Sequence, residues 1–137
     1  MHPDLLYQIS LTRVPQVGCI HAKILLQTFG TAEAVFRASL PSLERVEGIG
    51  RIRAQSIKTF RDFSRSENEI HFLERYQISA LAPNDPAYPK RLLPCYDAPV
   101  LLYYKGNADL NQLKIISVVG TRRFSDYGKQ ITEKLIR

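Results

Sequence analysis

The sequence predicts a small all-α domain followed by the beginning of an α/β domain. Three observations point to this: repeated helical segments in the first half, a proline-punctuated middle, and a final strand–turn–helix pattern. The 137 residues suffice for one ordinary domain, or for one small domain and part of another. With 45% hydrophobic and 23% charged residues, the composition is typical of a globular protein.

The sequence favours a cytoplasmic protein without membrane spans. Its longest apolar runs are far shorter than a bilayer requires, and its start lacks the pattern of a secretory signal. Cys19 and Cys95 fit no metal spacing and suit a reducing cytosol better than a disulfide scaffold. Because His2, His21 and His71 are scattered and no paired carboxylates occur, we expect no metal, no cofactor and no catalytic activity.

Apolar periodicity predicts five or six helices before residue 77. The sixth segment is either a separate helix or a continuation of the fifth. The predicted segments are a first helix capped by Asp4, Cys19 to Phe29 ended by Gly30, a short helix capped by Thr31, a turn of helix opened by Ser39 and Pro41 and ending near Val46, Arg51 to about Phe63, and Ser66 to Tyr76.

An internal repeat lies within these helices. The segment from Val14 to Leu25 aligns with the segment from Val46 to Ile57 at a constant offset of 32 residues. Such a fixed period predicts a duplicated supersecondary unit. Each copy places apolar residues around a glycine turn and then a helix with a small alanine on its inner face. This pattern resembles the helix-hairpin-helix motif.

The second hairpin is a candidate nucleic-acid contact. Gly48 and Gly50 permit backbone N–H groups to approach a phosphate closely at a helix N-terminus, and Arg51 and Arg53 add charge. Such contacts would be independent of base sequence and sensitive to salt. The alternative is that this hairpin serves only packing or protein contact. The first copy departs from the pattern, because Gln16 stands where the first glycine is expected.

The second half of the chain predicts short strands separated by prolines. The expected strands are Ile78 to Leu81, Val100 to Tyr104 and Leu113 to Val119, and a helix is expected from Asp126 to Arg137. We therefore divide the chain into a helical domain over residues 1–66 and the incomplete α/β domain over residues 67–137.

The second candidate site follows the last predicted strand. Gly120, Thr121 and Arg122 come at its carboxyl end, where open α/β sheets bind ligands. An arginine fork pairs bidentately with phosphate, and the net charge of residues 111–137 is +4. Ser125 fits ligand contact or an N-cap equally well. Tyr127 could stack on a base, but packing is favoured, and Arg123 is interpreted as surface charge.

The run from Val118 to Gly128 resembles the signature of the DprA/Smf family of bacterial DNA-processing proteins. The segment from Asp85 to Leu93, and that from Asp97 to Gly106, resemble the family's tyrosine- and proline-containing passage. The resemblance implies a helix-hairpin-helix (SAM-like) domain followed by an extended Rossmann-like α/β domain. It also implies a homodimer that binds single-stranded DNA, protects incoming DNA and loads the recombinase RecA during natural transformation, without catalysis. Gly120, Thr121 and Arg122 would then lie at the positively charged DNA pocket, with Ser125 nearby.

The family's Rossmann-like domain continues well beyond residue 137 and there supplies the dimer surface and the recombinase contact, which implies that this chain is the N-terminal part of a longer protein or a truncated reading frame and that both surfaces are absent from it. For this length of chain alone, residues 111–137 are expected to be poorly ordered, swapped or stabilised by association, because a lone strand cannot pair its edges. Two other functions stay open. One is a Rossmann-type nucleotide hydrolase, and the other is a helical module that binds a partner or duplex DNA.

Overall fold

The computed structural model describes residues 4–136. Within that range the elements, in order, are α1 (Leu5–Arg13), α2 (Cys19–Phe29), α3 (Ala32–Arg37), α4 (Leu40–Glu44), α5 (Gly50–Thr59), α6 (Phe63–Arg75), β1 (Ser79–Leu81), a 3-10 turn (Lys90–Leu92), β2 (Leu102–Tyr104) and α7 (Asp126–Ile136). No helix among these described residues is long and apolar enough to cross a bilayer.

The first five helices surround one hydrophobic core. Fully buried side chains from each of them meet there, among them Leu11, Leu25, Val35, Leu43 and Ile57. Burial of each such side chain contributes about 1.5–3 kcal/mol. These helices therefore hold the two predicted hairpins in a fixed mutual arrangement.

Four aromatic rings close one side of this core and explain where α5 ends. Phe60 and Phe63 meet edge to face with centroids 5.3 Å apart, and Phe36 and Tyr7 join them. Phe60 has an extended backbone (φ −61°, ψ 130°), so α5 stops at Thr59 and α6 starts as a separate helix. The prediction that the fifth helix runs to about Phe63 is wrong, since packing of the two rings turns the chain.

Asp4 caps a different helix from the one expected. Its side chain makes no capping hydrogen bond to α1; instead, its two carboxylate oxygens accept from the backbone N–H groups of Ala32 (2.8 Å) and Glu33 (2.7 Å) at the start of α3. The predicted caps at Thr31 and Ser39 are confirmed, because each hydroxyl accepts a hydrogen bond from the backbone N–H three residues on. The sequence shows a good capping residue, but not which helix end folds against it.

Helix α6 joins the helical region to the strands. Its inner face, Ile70 and Leu73, packs with Ile9, with Ala80 of β1 and with Leu101 just before β2. Ser66 is buried and accepts a hydrogen bond from Ser10 of α1 at 2.8 Å. Helix α6 thus runs across residue 66, where the domain boundary was placed.

The two short strands pair with each other. Strands β1 and β2 are antiparallel, with Ala80 opposite Tyr103 and Leu81 opposite Leu102. Between them the chain is irregular and is anchored by Tyr88, a buried residue whose hydroxyl donates to the carbonyl of Pro99 at 2.7 Å. Both strands are shorter than predicted.

The predicted strand from Leu113 to Val119 does not form in the structure. Leu113 is 94% exposed and Val119 is 91% exposed. Among residues 4–136 no strand pairs with this segment, and a strand requires a hydrogen-bonded neighbour. Helix α7 follows as predicted, up to Ile136, and the expected last helical residue, Arg137, lies outside the described residues.

Candidate nucleic-acid interface

The two hairpin turns have matching backbone conformations. In each, an N–H donates to the carbonyl three residues earlier at 3.1 Å, from Val17 to Val14 and from Ile49 to Val46. Gln16 has a φ of 66° and Gly48, its equivalent in the repeat, has a φ of 79°. The sequence repeat is therefore also a structural repeat. Gln16 adopts the left-handed backbone conformation that Gly48 has in the second copy.

Arg53 ties the two turns together. Its Nε donates to the carbonyl of Gln16 at 3.1 Å, and its Nη1 donates to the carbonyl of Gly48 at 3.2 Å. These two carbonyls occupy equivalent positions of the repeat. Arg53 was expected to add charge for a phosphate, but its guanidinium is engaged in joining the hairpins.

The repeat contains a signal that points to this role. Arg53 is equivalent to His21 in the first copy, and the two side chains are close enough in space to interact electrostatically. Burial, and secondly the positive charge of Arg53, lower the pKa of His21 below its ordinary value. A basic residue at equivalent positions of both hairpins could have indicated a contact across the centre of the repeat.

The second hairpin presents its other candidate residues to solvent. Gly48, Gly50 and Arg51 are exposed, whereas Ile49 between the glycines is buried in the core. Gly50 opens α5 with a φ of 60° and has no neighbouring atom within 4 Å of where a Cβ would stand. The turn thus offers an open glycine backbone with one arginine beside it at a helix N-terminus, which is a geometry suited to an anion.

The second candidate site lies on the exposed chain leading into α7. Gly120, Thr121 and Arg122 are all exposed, and the Thr121 hydroxyl donates to the carbonyl of Arg123 at 2.6 Å. The Ser125 hydroxyl accepts from the N–H of Gly128 at 3.2 Å, which confirms its role as the N-cap of α7. Tyr127 is 74% exposed, so the packing favoured for its ring is not made among the described residues.

The segment before this site is fixed to the irregular region between the strands. Arg91 donates from both terminal nitrogens to the carbonyls of Gln112 (2.8 Å) and Leu113 (2.9 Å). Asn111 accepts from the N–H of Lys90 and donates to the carbonyl of Tyr88. These hydrogen bonds therefore hold the chain in place as far as Leu113.

No metal centre is built by the part of the chain that the structure describes. Residues 4–136 contain no cluster of three His, Cys, Asp or Glu side chains placed to hold a metal ion. Cys19 and Cys95 are exposed free thiols, and His71 lies 3.8 Å from Glu74 on the surface of α6. His2 lies outside the described residues.

Two family models match successive parts of the chain. Residues 9–70, which include both hairpin turns and Arg53, match the model described as the helix-hairpin-helix motif. Residues 79–137, which include Gly120, Thr121 and Arg122, match the model described as DNA recombination-mediator protein A.

Curated relatives agree with these matches. The chain is 32% identical to Protein Smf of Synechocystis sp. over 136 residues, which is 94% of this chain and 33% of that protein. It is 37% identical to DNA processing protein DprA of Streptococcus pneumoniae over 89 residues, 56% of this chain and 32% of that protein. A 50-residue stretch, 36% of this chain, is 46% identical to 8% of UvrABC system protein C of Cereibacter sphaeroides. The chain spans about a third of the length of Smf and DprA, and over most of its own length it is similar to them, which supports a protein of the DprA/Smf family.

Proposed function

We propose that this chain binds single-stranded DNA through Gly120, Thr121 and Arg122, as part of a non-enzymatic, cytoplasmic recombination mediator. In that role it would protect incoming DNA and help to load RecA during natural transformation. The observation that carries the proposal is the exposed basic turn before α7, which lies inside the region matching DNA recombination-mediator protein A. The net charge of +4 over residues 111–137 supports a polyanionic ligand.

The chemistry of this turn suits a phosphodiester backbone. The Arg122 guanidinium can donate two parallel hydrogen bonds to one phosphate. Gly120 lets the backbone approach the phosphate closely, and the Thr121 hydroxyl can turn from the Arg123 carbonyl to a phosphate oxygen. Ser125 acts indirectly in this proposal: by capping α7 it fixes the helix N-terminus, whose dipole favours an anion.

The proposal includes the Rossmann-like domain that the family resemblance implies. Residues 1–66 would form the helical domain and residues 67–137 the first part of the Rossmann-like domain. The exposed apolar side chains of Leu113, Ile116 and Val119 support this, because they are what a central strand would bury between neighbours. The homodimer and the RecA contact belong to the same proposal.

Substitution of Arg122 tests the site. We expect Arg122→Ala to weaken binding of a labelled oligothymidine at least about tenfold, since a hydrogen bond to a charged group contributes about 1.5–3 kcal/mol. Arg123→Ala is the matched control, because it removes the same charge one residue away; its loss should stay below about threefold. Fluorescence anisotropy measures both affinities. Equal losses would show that only overall charge matters.

Duplex DNA binding by the hairpins is a second candidate function. The matched left-handed turns and the exposure of Gly48, Gly50 and Arg51 favour it. Arg51→Ala should then weaken binding of a duplex oligonucleotide and leave the affinity for its single strand unchanged. Unchanged affinity for the duplex would exclude Arg51 as a contact.

A further inference from the structure

Helix α6 carries a pair of aromatic rings on its solvent side. Phe72 is 53% exposed and Tyr76 is 44% exposed, and their ring centroids lie 4.5 Å apart at an interplanar angle of 44°. The core-facing residues of the same helix are Ile70 and Leu73, so this pair adds little to the buried core. Exposed neighbouring rings of this size are a feature that folding alone does not explain.

Two cations flank the Tyr76 ring from different elements. The Arg75 Cζ lies 5.7 Å from the ring centroid, and the Lys105 Nζ, just beyond β2, lies 6.0 Å from it. Among residues 4–136, neither side chain has a nitrogen within 4.0 Å of a carboxylate oxygen. Both charges therefore stand beside the rings without a salt-bridge partner in the described part of the chain.

The nearby carboxylates have other partners. Glu69 lies 3.9 Å from Arg13 and interacts with the Tyr103 hydroxyl, whose pKa is raised far above its ordinary value by burial and then by Glu69. Glu74 lies 3.8 Å from His71. The charged groups that the structure places over the Tyr76 ring itself are the two cations, Arg75 and Lys105.

We propose that Phe72, Tyr76, Arg75 and Lys105 form a second contact surface for single-stranded nucleic acid. A base stacks on the exposed ring face, and the flanking phosphates accept hydrogen bonds from the guanidinium and the ammonium group. Flat rings beside cations are the combination that binds unpaired strands, because every base has a π-face and every nucleotide a phosphate. A duplex is a poorer ligand, since its bases are stacked on one another. This surface, defined here as the α6 aromatic surface, rests on the proposed single-strand function and adds a second contact to it.

Intrinsic fluorescence can locate a bound strand at this surface. The chain contains no tryptophan, so Tyr76→Trp introduces a single indole at the ring pair. Titration with labelled oligothymidine should quench its emission with the same midpoint as the anisotropy signal. Tyr96→Trp is the matched control, because Tyr96 is an exposed tyrosine (75%) in the irregular segment between the strands; its emission should not change.

Removal of the rings measures their contribution. The double variant Phe72→Ala/Tyr76→Ala should bind oligothymidine about 10- to 100-fold more weakly, given the usual contribution of base–aromatic stacking. Tyr96→Ala should bind as the unsubstituted chain does. An abasic oligomer of equal length should bind the double variant and the unsubstituted chain alike, because it has no bases to stack. Circular dichroism checks that α6 is retained.

The outcomes separate this inference from the proposed function. Binding seen by anisotropy without quenching of the Tyr76→Trp variant would overturn the α6 aromatic surface and leave the Gly120–Arg122 site intact. No binding by anisotropy would contradict both. Equal losses for the abasic and the base-containing oligomers would show an effect of charge or folding, and would also overturn stacking. A ring-free variant that keeps its DNA affinity but loses a protein partner would assign the surface to that partner instead.

Discussion

The conformation of Gln16 is the clearest residue-level departure from the hairpin pattern. Its φ of 66° is one that a residue with a Cβ adopts at a cost of roughly 1–2 kcal/mol. Gly48 takes the equivalent place in the second copy with a φ of 79° and no such cost. The sequence indicated an imperfect repeat at this point, whereas the structure shows a preserved turn with a strained residue.

Exchanging these residue types should move stability in opposite directions. Gln16→Gly should raise the free energy of unfolding by about 0.5–1 kcal/mol, because relief of strain exceeds the added entropy of the unfolded chain. Gly48→Ala should lower it by about 1 kcal/mol; the new Cβ would meet Ile24 Cδ1 at an ordinary 3.9 Å, so the loss comes from the backbone. Urea unfolding followed by circular dichroism measures both. A destabilised Gln16→Gly variant would contradict the repeat geometry.

His21 should make folding sensitive to mild acid. Its pKa is lowered in the folded chain by burial and by Arg53, so the unfolded chain binds more protons as the pH falls through 6.5. The stability that neutral His21 permits is therefore present above that pH and is lost below it. The decrease in unfolding free energy from pH 7.5 to 5.5 should be smaller in His21→Gln than in the unsubstituted chain. Urea unfolding at several pH values measures the profiles, and identical profiles for His21→Gln and the unsubstituted chain would contradict this.

At the scale of elements, local signals located most helices. Gly30, Thr31 and Ser39 act on the neighbouring backbone, so α2 to α4 could be predicted with their caps. The break between α5 and α6 could not, because it depends on how Phe60 and Phe63 pack. The strand predicted over residues 113–119 failed for a related reason: an apolar run becomes a strand only beside another strand.

The two hydrogen bonds by which Arg53 joins the hairpin turns also belong to this scale. Arg53→Ala should lower the free energy of unfolding by about 1–2 kcal/mol, since two turn carbonyls lose a charged donor. Arg51→Ala, on the same helix but exposed, should change it by less than about 0.5 kcal/mol. Equal effects would show that Arg53 does not join the turns. The basic residues His21 and Arg53 at equivalent positions of the repeat are a signal for a contact between the hairpins, but the two carbonyls that Arg53 binds are identified only by the structure.

At the scale of the whole molecule, the candidate sites fall on different parts of the chain. The hairpin residues lie on the helical core, the Gly120–Arg122 run lies before α7, and the α6 aromatic surface lies beside the strands. The first two were predicted from glycine and arginine spacing. The third was not, because Lys105 is brought to Tyr76 only by folding of the chain after β2 onto α6.

The central claim is that this chain recognises single-stranded DNA. The most direct measurement is an anisotropy titration of one labelled oligonucleotide, free and annealed to its complement, at low and moderate salt. We predict tighter binding of the free strand, with an affinity that falls as salt rises because phosphate contacts release counterions. Equal or tighter binding of the duplex, or no binding of either form, would contradict the account.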